Sequence, residues 1–245
     1  YASGGLFKTS NNGITFEPVF DNESSVIIGD IAVDWKSNTI YIGTGENNSS
    51  RSSYAGTGIF KSTDGGKNWK HLGLNGSHRT GRIVIDPKNS NNIYVAALGS
   101  LYSSSNERGI YKSTDGGESF SKVLFINDVT GAIDIEINPV NTDVLYAAMW
   151  ERERRAWDFR ASGKNSGIYK STNGGLNWLK LAGGLPEGEG FGRCGLALSP
   201  SKPETIYALI DNNTPRADST KKEELKVTKD VLRKISREDF LKLNK

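Results

Sequence analysis

Short apolar runs recur along this chain, each closed by a cluster of Gly, Pro, Asn or Ser. Runs of this length, rich in β-branched and aliphatic residues and bounded by turn formers, read as β-strands. Asp30–Trp35, Arg82–Asp86, Ala132–Asn138 and Cys194–Ser199 form one series. Thr39–Gly43, Asn92–Ala97, Val144–Met149 and Thr205–Leu209 form a second, reached through the turns DWKSNT, DPKNSNN, NPVNTD and SPSKPET. A third strand follows in each set, opening on Gly-Ile-Tyr-Lys or a near variant and alternating apolar with polar as a half-buried strand does.

That third strand belongs to a phrase written four times: GLFKTSNNGITF, GIFKSTDGGKNW, GIYKSTDGGESF and GIYKSTNGGLNW. The copies begin at Gly5, Gly58, Gly109 and Gly167, spacings of 53, 51 and 58 residues. A repeat of this length means stacked units that bury their apolar faces against one another. Within the phrase, Ser62, Ser113 and Ser171 end the strand by local hydrogen bonding, as does Thr9 in the first copy. Asp64 and Asp115 accept from backbone N–H groups in the turn, and Asn11 and Asn173 do so without charge. Gly13, Gly66, Gly117 and Gly175 permit positive φ. Phe16, Trp69, Phe120 and Trp178 then begin a fourth strand and carry a ring into the core.

Ser-x-Asp-x-Gly-x-x-Trp, in four copies in register, resembles the Asp-box or BNR repeat. That repeat occurs in sialidases, xyloglucanases, photosystem assembly factors and the sortilin receptors, all of them β-propellers. GRIVIDP, YVAALGSLY, TGAIDIEINP and YAAMWERERRAWDF carry a closer likeness to bacterial sortilin-like proteins, often labelled glycosyl hydrolases. The implied fold is all-β: a propeller of four-stranded antiparallel blades, A to D outward from the axis, with the Asp boxes as C–D turns. Residues 1–210 give three full blades with partial ones at either side, Tyr1–Gly4 ending a B strand, so the ring is incomplete and the remaining blades of the same chain are expected partners. Residues 211–245 read as a polar linker and a helical insertion or tail. There, Thr228 and the pair Ser236 and Asp239 are helix starts, and Leu232, Ile235, Phe240 and Leu243 form an apolar stripe.

Strand alternation fixes which loops share a face. The Asp boxes lie with the tight A–B turns, so Asn11, Asp64, Asp115 and Asn173 are structural. The opposite face gathers the long B–C loops at 45–56, 99–109 and 151–167 and the D–A links at 75–82, 126–131 and 185–195. Loops on a rigid scaffold are where function concentrates. The ligand-binding candidates there are Arg79, Arg82, Tyr102, Arg108, Arg152, Arg154, Arg155, Trp157 and Arg193, with Arg51 also on that face. The richest stretch is Trp150–Arg160, which mixes arginines, carboxylates and aromatics. Arg forks grip carboxylates and phosphates, and aromatic faces stack on sugars. Its plain alternative is a belt of surface ion pairs worth about 0–1 kcal/mol each.

Two function classes follow. One is a binding module for a glycan or an extended peptide, which the sortilin likeness supports. The other is a glycoside hydrolase, which needs two carboxyls flanking the scissile bond. Glu46, Asp128, Glu151 and Asp158 are the catalytic candidates. No sialidase or xyloglucanase catalytic residue transfers, because Arg82-Ile-Val lacks the Arg-Ile-Pro of sialidases and no Tyr/Glu pair is assignable.

The remaining signals narrow the field. Net charge is +3, and from Arg216 onward ten Lys/Arg face six Asp/Glu. The propeller part is therefore near neutral, which argues against nucleic acid as a partner. No apolar run is long enough to span a bilayer. The two histidines lack zinc spacing, so no metal site and no cofactor are expected. The single cysteine, Cys194, reads as a small core residue. The start carries no signal-peptide pattern, while the resemblance implies a secreted, periplasmic or cell-surface protein.

Overall fold

The computed structural model describes residues 4–48, 53–214 and 229–242, excepting the side chains of 229–231 and 242. The start of the Tyr1–Gly4 strand, Arg51, most of the linker, Thr228 and Leu243 lie outside the described residues. The chain divides into two compact units, Tyr1–Thr214 and Pro215–Lys245.

The first unit opens with β1 (Phe7–Lys8) paired to β2 (Glu17–Pro18). The first full blade holds β3 (Ile28–Asp34), β4 (Thr39–Thr44), β5 (Ile59–Ser62) and β6 (Lys70–Gly73). The second holds β7 (Thr80–Ile85), β8 (Ile93–Ala97), β9 (Gly109–Ser113) and β10 (Ser121–Leu124). In the third, β11 (Thr130–Ile137) and β12 (Leu145–Glu151) are followed by a hairpin, β13 (Glu153–Arg154) and β14 (Phe159–Arg160). The blade then resumes with β15 (Gly167–Ser171) and β16 (Leu179–Lys180). A last pair is β17 (Phe191–Leu198) with β18 (Ile206–Asn212). Every pairing is antiparallel, and the order within each four-stranded sheet follows the chain. Successive first strands β3, β7, β11 and β17 touch one another, which places them innermost. The array is thus an open β-propeller segment: among the described residues the blades do not close a ring.

The core lies between blades rather than within them. Tyr41, Ile83, Val95 and Tyr111 fill the space between the first and second full blades. Ala96, Ile135, Ala147 and Met149 fill the next, and Leu98, Ile133, Trp150 and Leu196 the one after. The phrase supplies the ties across these layers. Lys8, Lys61 and Lys112 each donate from Nζ to a glycine carbonyl in the following Asp box, Gly65, Gly116 and Gly174, at 3.0, 2.9 and 2.8 Å. Tyr41 and Tyr94 donate to the same Gly116 and Gly174 carbonyls at 3.2 and 3.1 Å.

Each inner pair also carries a register shift, at Ile28/Asp30, Thr80/Arg82, Ala132/Asp134 and Phe191/Cys194. Bulges re-aim side chains. Here Asp30 accepts from Ile83 N at 2.7 Å and Asp134 from Leu196 N at 2.8 Å, each on the next inner strand.

The Asp-box turns are closed by their own side chains. Asp64 Oδ1 accepts from Lys67 N and Asn68 N, both at 3.0 Å, and from Ser62 Oγ at 2.9 Å. Asp115 repeats the pattern with Ser119 N at 3.0 Å and Ser113 Oγ at 2.7 Å. These donors hold both carboxyls well below the usual range. Gly66, Gly117 and Gly175 adopt φ near +90° (89, 93 and 88) under the neighbouring blade, where only glycine sits without strain. The ring that follows packs inward in three copies. In the first it does not: Phe16 is 61% exposed, because β1 and β2 have no inner strands of their own blade among the described residues.

In the second unit, α1 (Lys229–Lys234) is followed by α2 (Arg237–Lys242). Ser236 Oγ caps α2 by accepting from Asp239 N at 3.2 Å and donates to Asp239 Oδ2 at 2.7 Å.

Candidate functional site

The longest B–C loop is not plain loop. Its β13–β14 hairpin pairs Glu153 with Arg160 and Arg154 with Phe159. The connection is closed by Arg155 N donating to Asp158 O at 2.8 Å. Arg154 stacks its guanidinium over Phe159 at 4.6 Å, and Arg155 pairs with Glu153 at 3.1 Å. Trp157 stands at the tip and is 81% exposed. Beside the hairpin lies a cleft of about 520 Å³ lined by Tyr102, Ser104, Glu153, Arg154, Arg155 and Trp157.

Behind Tyr102 the structure brings three arginines together in the interior. Arg79, Arg108 and Arg152 are the largest fully buried side chains of the described residues. Arg79 stacks on Tyr102 at 5.7 Å and donates to Ser53 Oγ and Ser53 O, both at 2.8 Å, so it clamps the first B–C loop. Arg108 donates to Leu98 O at 2.9 Å and to Ser100 O, clamping the second. Their guanidiniums are therefore turned inward to loop backbone, whereas their sequence positions pointed to an exposed surface. Arg152 differs. Its guanidinium stacks on Trp150 at 4.7 Å, and among the described residues none of its three nitrogens has a hydrogen-bond acceptor. Burial, with Arg79, Arg108 and Arg193 nearby, pushes Arg152 down to about 9. Burial pushes Arg108 down to about 10.

Arg193 also lies over the Trp150 ring, at 5.8 Å, and opens onto a separate axial depression with Asp30, Arg82 and Asp134. Arg82 there bridges Asp134 at 3.3 Å and Glu136 at 3.2 Å. Burial raises the carboxyls of Asp30, Asp134 and Glu136 despite those partners.

The four carboxylates named from sequence sit in unlike places. Glu151 is buried, with Oε1 accepting from Arg160 at 3.2 Å and Oε2 from the Asn165 side chain at 2.9 Å. A Cβ on Gly163 would fall 2.3 Å from its carboxyl carbon, so the chain closes directly over it. Glu46 is half-buried and accepts from Tyr54 N at 3.4 Å. Asp128 and Asp158 are exposed, and their main-chain carbonyls tie Ser105 N and Arg155 N.

Comparison with known proteins bears on this arrangement. The family model described as "Sortilin, neurotensin receptor 3" (Sortilin-Vps10) matches residues 57–242. The chain belongs to the Sortilin-Vps10 family. This Sortilin-Vps10 segment is also 30% identical over 147 residues to a xyloglucanase of Hypocrea jecorina (strain QM6a), covering 51% of the chain and 16% of the enzyme. An ancestral GH74 enzyme superposes on 88% of the chain and 26% of its own, with TM-score 0.64 at 24% identity. YCF48 from Cyanidioschyzon merolae superposes on 86% of the chain and 60% of its own, with TM-score 0.52 at 15% identity. The chain thus spans about a sixth of the xyloglucanase and a quarter of the GH74 enzyme. The two structural likenesses show the fold.

Several residues that build this Sortilin-Vps10 site had no sequence signal of their own. Ser53, Ser166 and Asn165 lie in polar loops like many others, yet Ser53 anchors Arg79, Ser166 Oγ accepts from Glu151 N at 2.8 Å, and Asn165 holds the Glu151 carboxylate. Trp150 was visible as an aromatic ending an apolar strand; its contacts with Arg152 and Arg193 were not. Among the described residues no helix is long and apolar enough to cross a membrane.

Proposed function

We propose that this chain is a ligand-holding part of a larger propeller and that it binds a glycan in the cleft between Tyr102 and the β13–β14 hairpin. The observation that carries the reading is Trp157: an indole 81% exposed at a hairpin tip, lining the same cleft as Tyr102, which is 52% exposed. Leaving such a ring in water forgoes about 1.5–3 kcal/mol of burial. A flat apolar face beside Arg154, Arg155 and Glu153 suits a sugar ring, with its apolar C–H face on the indole and its hydroxyls on the charged groups. Similarity to a xyloglucanase supports a glycan over a peptide. The same likeness supports a location outside the cytoplasm, and the other blades of the propeller complete the ring.

The same similarity favours a second reading, hydrolysis of that glycan. Glu151 is a poor member of a catalytic pair, since its oxygens are occupied by Arg160 and Asn165. Asp128 and Asp158 have free access to solvent.

The test is binding of the intact protein to a panel of polysaccharides, xyloglucan included, beside Trp157→Ala, with reducing ends assayed in parallel. Trp157→Ala is expected to weaken binding about tenfold and to leave the melting temperature unchanged. Binding unaffected by that change, or none by folded protein to any glycan, would overturn the reading and direct the search to peptides. Reducing-end release adds hydrolysis to the reading.

A further inference from the structure

Arg79, Arg108 and Arg152 are each no more than 1% exposed. Among the described residues none of them forms an ion pair. The acidic groups around them act only through space: Asp128 and Glu153 on Arg108, and Glu46 on Arg79. Three buried positive charges with no carboxylate paired directly to them are costly, because each unpaired buried ion is penalised by several kcal/mol. A lysine in such a place escapes by losing its proton; a guanidinium does not. The loop acceptors that receive Arg79 and Arg108 supply no negative charge, and among the described residues Arg108 Nε is left without a partner. Arg152 lacks even those, and all its N–H groups remain without acceptors. Its guanidinium lies over the Trp150 ring at 4.7 Å, an apolar neighbour that leaves its N–H donors available to a partner. Tyr102 lies over Arg79 and forms one wall of the cleft, which the three arginines do not themselves line.

We propose that this cluster is a binding site for one compact oxyanion, a carboxylate, sulfate or phosphate, gripped edge-on by Arg152 with Arg79 and Arg108 supplying charge. The anion is either free in solution or the acid group of the glycan in the cleft; only this second source rests on the proposed glycan reading. Two oxygens of a carboxylate, sulfate or phosphate match the guanidinium fork, and a charge-assisted pair in a dry setting is stronger than the same pair in water.

The experiment is calorimetric titration and thermal unfolding of the intact protein at constant ionic strength. Sodium sulfate and sodium glucuronate are the probes, and glucose is the neutral control. The expected result is saturable stabilisation by both anions at low millimolar concentration and none by glucose. A general salt effect grows without saturating. Arg152→Met should abolish the saturable part and, in anion-poor buffer, melt at or above the parent temperature, since it removes an unpaired buried charge. A merely structural arginine would give the opposite shift. Should Arg152→Met fail to fold, the parent titration decides alone. No saturable stabilisation by either anion, or one that survives in folded Arg152→Met, overturns the proposal.

The source is read by comparing an acidic oligosaccharide with its carboxyl-reduced form. A preference of about tenfold or more makes the anion ligand-borne. Equal binding, with sulfate still saturating, makes it free. A neutral glycan bound through Trp157 with no saturable anion refutes this inference and leaves the glycan reading standing. Saturable sulfate without any glycan binding refutes the glycan reading alone.

Discussion

The tie between the second and third full blades can be taken apart atom by atom. The buried Gly174 carbonyl accepts from Tyr94 OH at 3.1 Å and from Lys112 Nζ at 2.8 Å. Burial pushes the Tyr94 hydroxyl up to about 12, so it remains a donor through the working pH range. Tyr94→Phe removes one donor and leaves the ring, which Lys112 still covers. The carbonyl keeps its second partner, so the loss should be one net hydrogen bond, about 1 kcal/mol. Lys112→Met removes the other donor at a similar cost of about 1 kcal/mol. The double variant is different in kind, because Gly174 O is then buried with no donor. An orphaned buried acceptor costs about 1–3 kcal/mol beyond the bonds themselves, so the total should reach about 3–5 kcal/mol, with a coupling energy of about 1–3 kcal/mol. Urea midpoints of the parent, both single variants and the double variant give the cycle, provided the slope is unchanged. Tyr41 and Lys61 converge on Gly116 O in the same way, at 3.2 and 2.9 Å, and should give a coupling of the same sign. Additive losses, within about 0.5 kcal/mol, would refute the shared-acceptor argument.

Two further outcomes follow from the turns and loops. Asp115 has its carboxyl held below the ordinary value by Ser119, Ser113 and backbone N–H groups; its stabilising contribution is therefore present above about pH 4 and lost as pH falls below that, towards the folded-state value. Asp115→Asn should lower stability at pH 7 and flatten the acid limb of a melting-temperature profile; an unchanged profile would remove the turn as its source. Glu151→Gln turns an amide N–H₂ toward donors on Arg160 or Asn165 and should destabilise by about 1–3 kcal/mol, and Gly163→Ala should do the same by pressing a methyl onto that carboxylate. Thermal unfolding checks both, and a stable Glu151→Gln protein that has lost glycan hydrolysis would show that the carboxylate is chemical rather than structural.

The blades were legible because their signals are local. A strand needs only its own run of Ile, Val and Tyr, and a turn only its Asp and Gly. The loop face hid more. Arginines on long polar loops read as exposed, since arginine is rarely fully buried, and nothing in the letters distinguishes Arg79, Arg108 and Arg152 from Arg155 on the surface. The β13–β14 hairpin was equally hidden. Its four residues, Glu153, Arg154, Phe159 and Arg160, offer one apolar side chain, so it shows no alternation, and its hold is the pairing itself plus the Arg154–Phe159 stack.

The inter-blade ties are the instructive case. Lys8, Lys61 and Lys112 find their acceptors 57, 55 and 62 residues away, beyond the reach of any local pattern. Yet the chain carries an internal clue. A lysine on the solvent side of a half-buried strand is free to vary between repeats, as the residue after the last glycine of each box does: Ile14, Lys67, Glu118 and Leu176. The lysine before Ser or Thr does not vary; it stands in all four copies, at Lys8, Lys61, Lys112 and Lys170. No carboxylate recurs beside it in every copy to explain this. A charge that repeats while its local partners change must answer to something that also repeats, and in a stack of like units that is the next unit. Here it is the glycine carbonyl of the following Asp box, so the same few residues that turn one blade also receive the lysine of the blade before it.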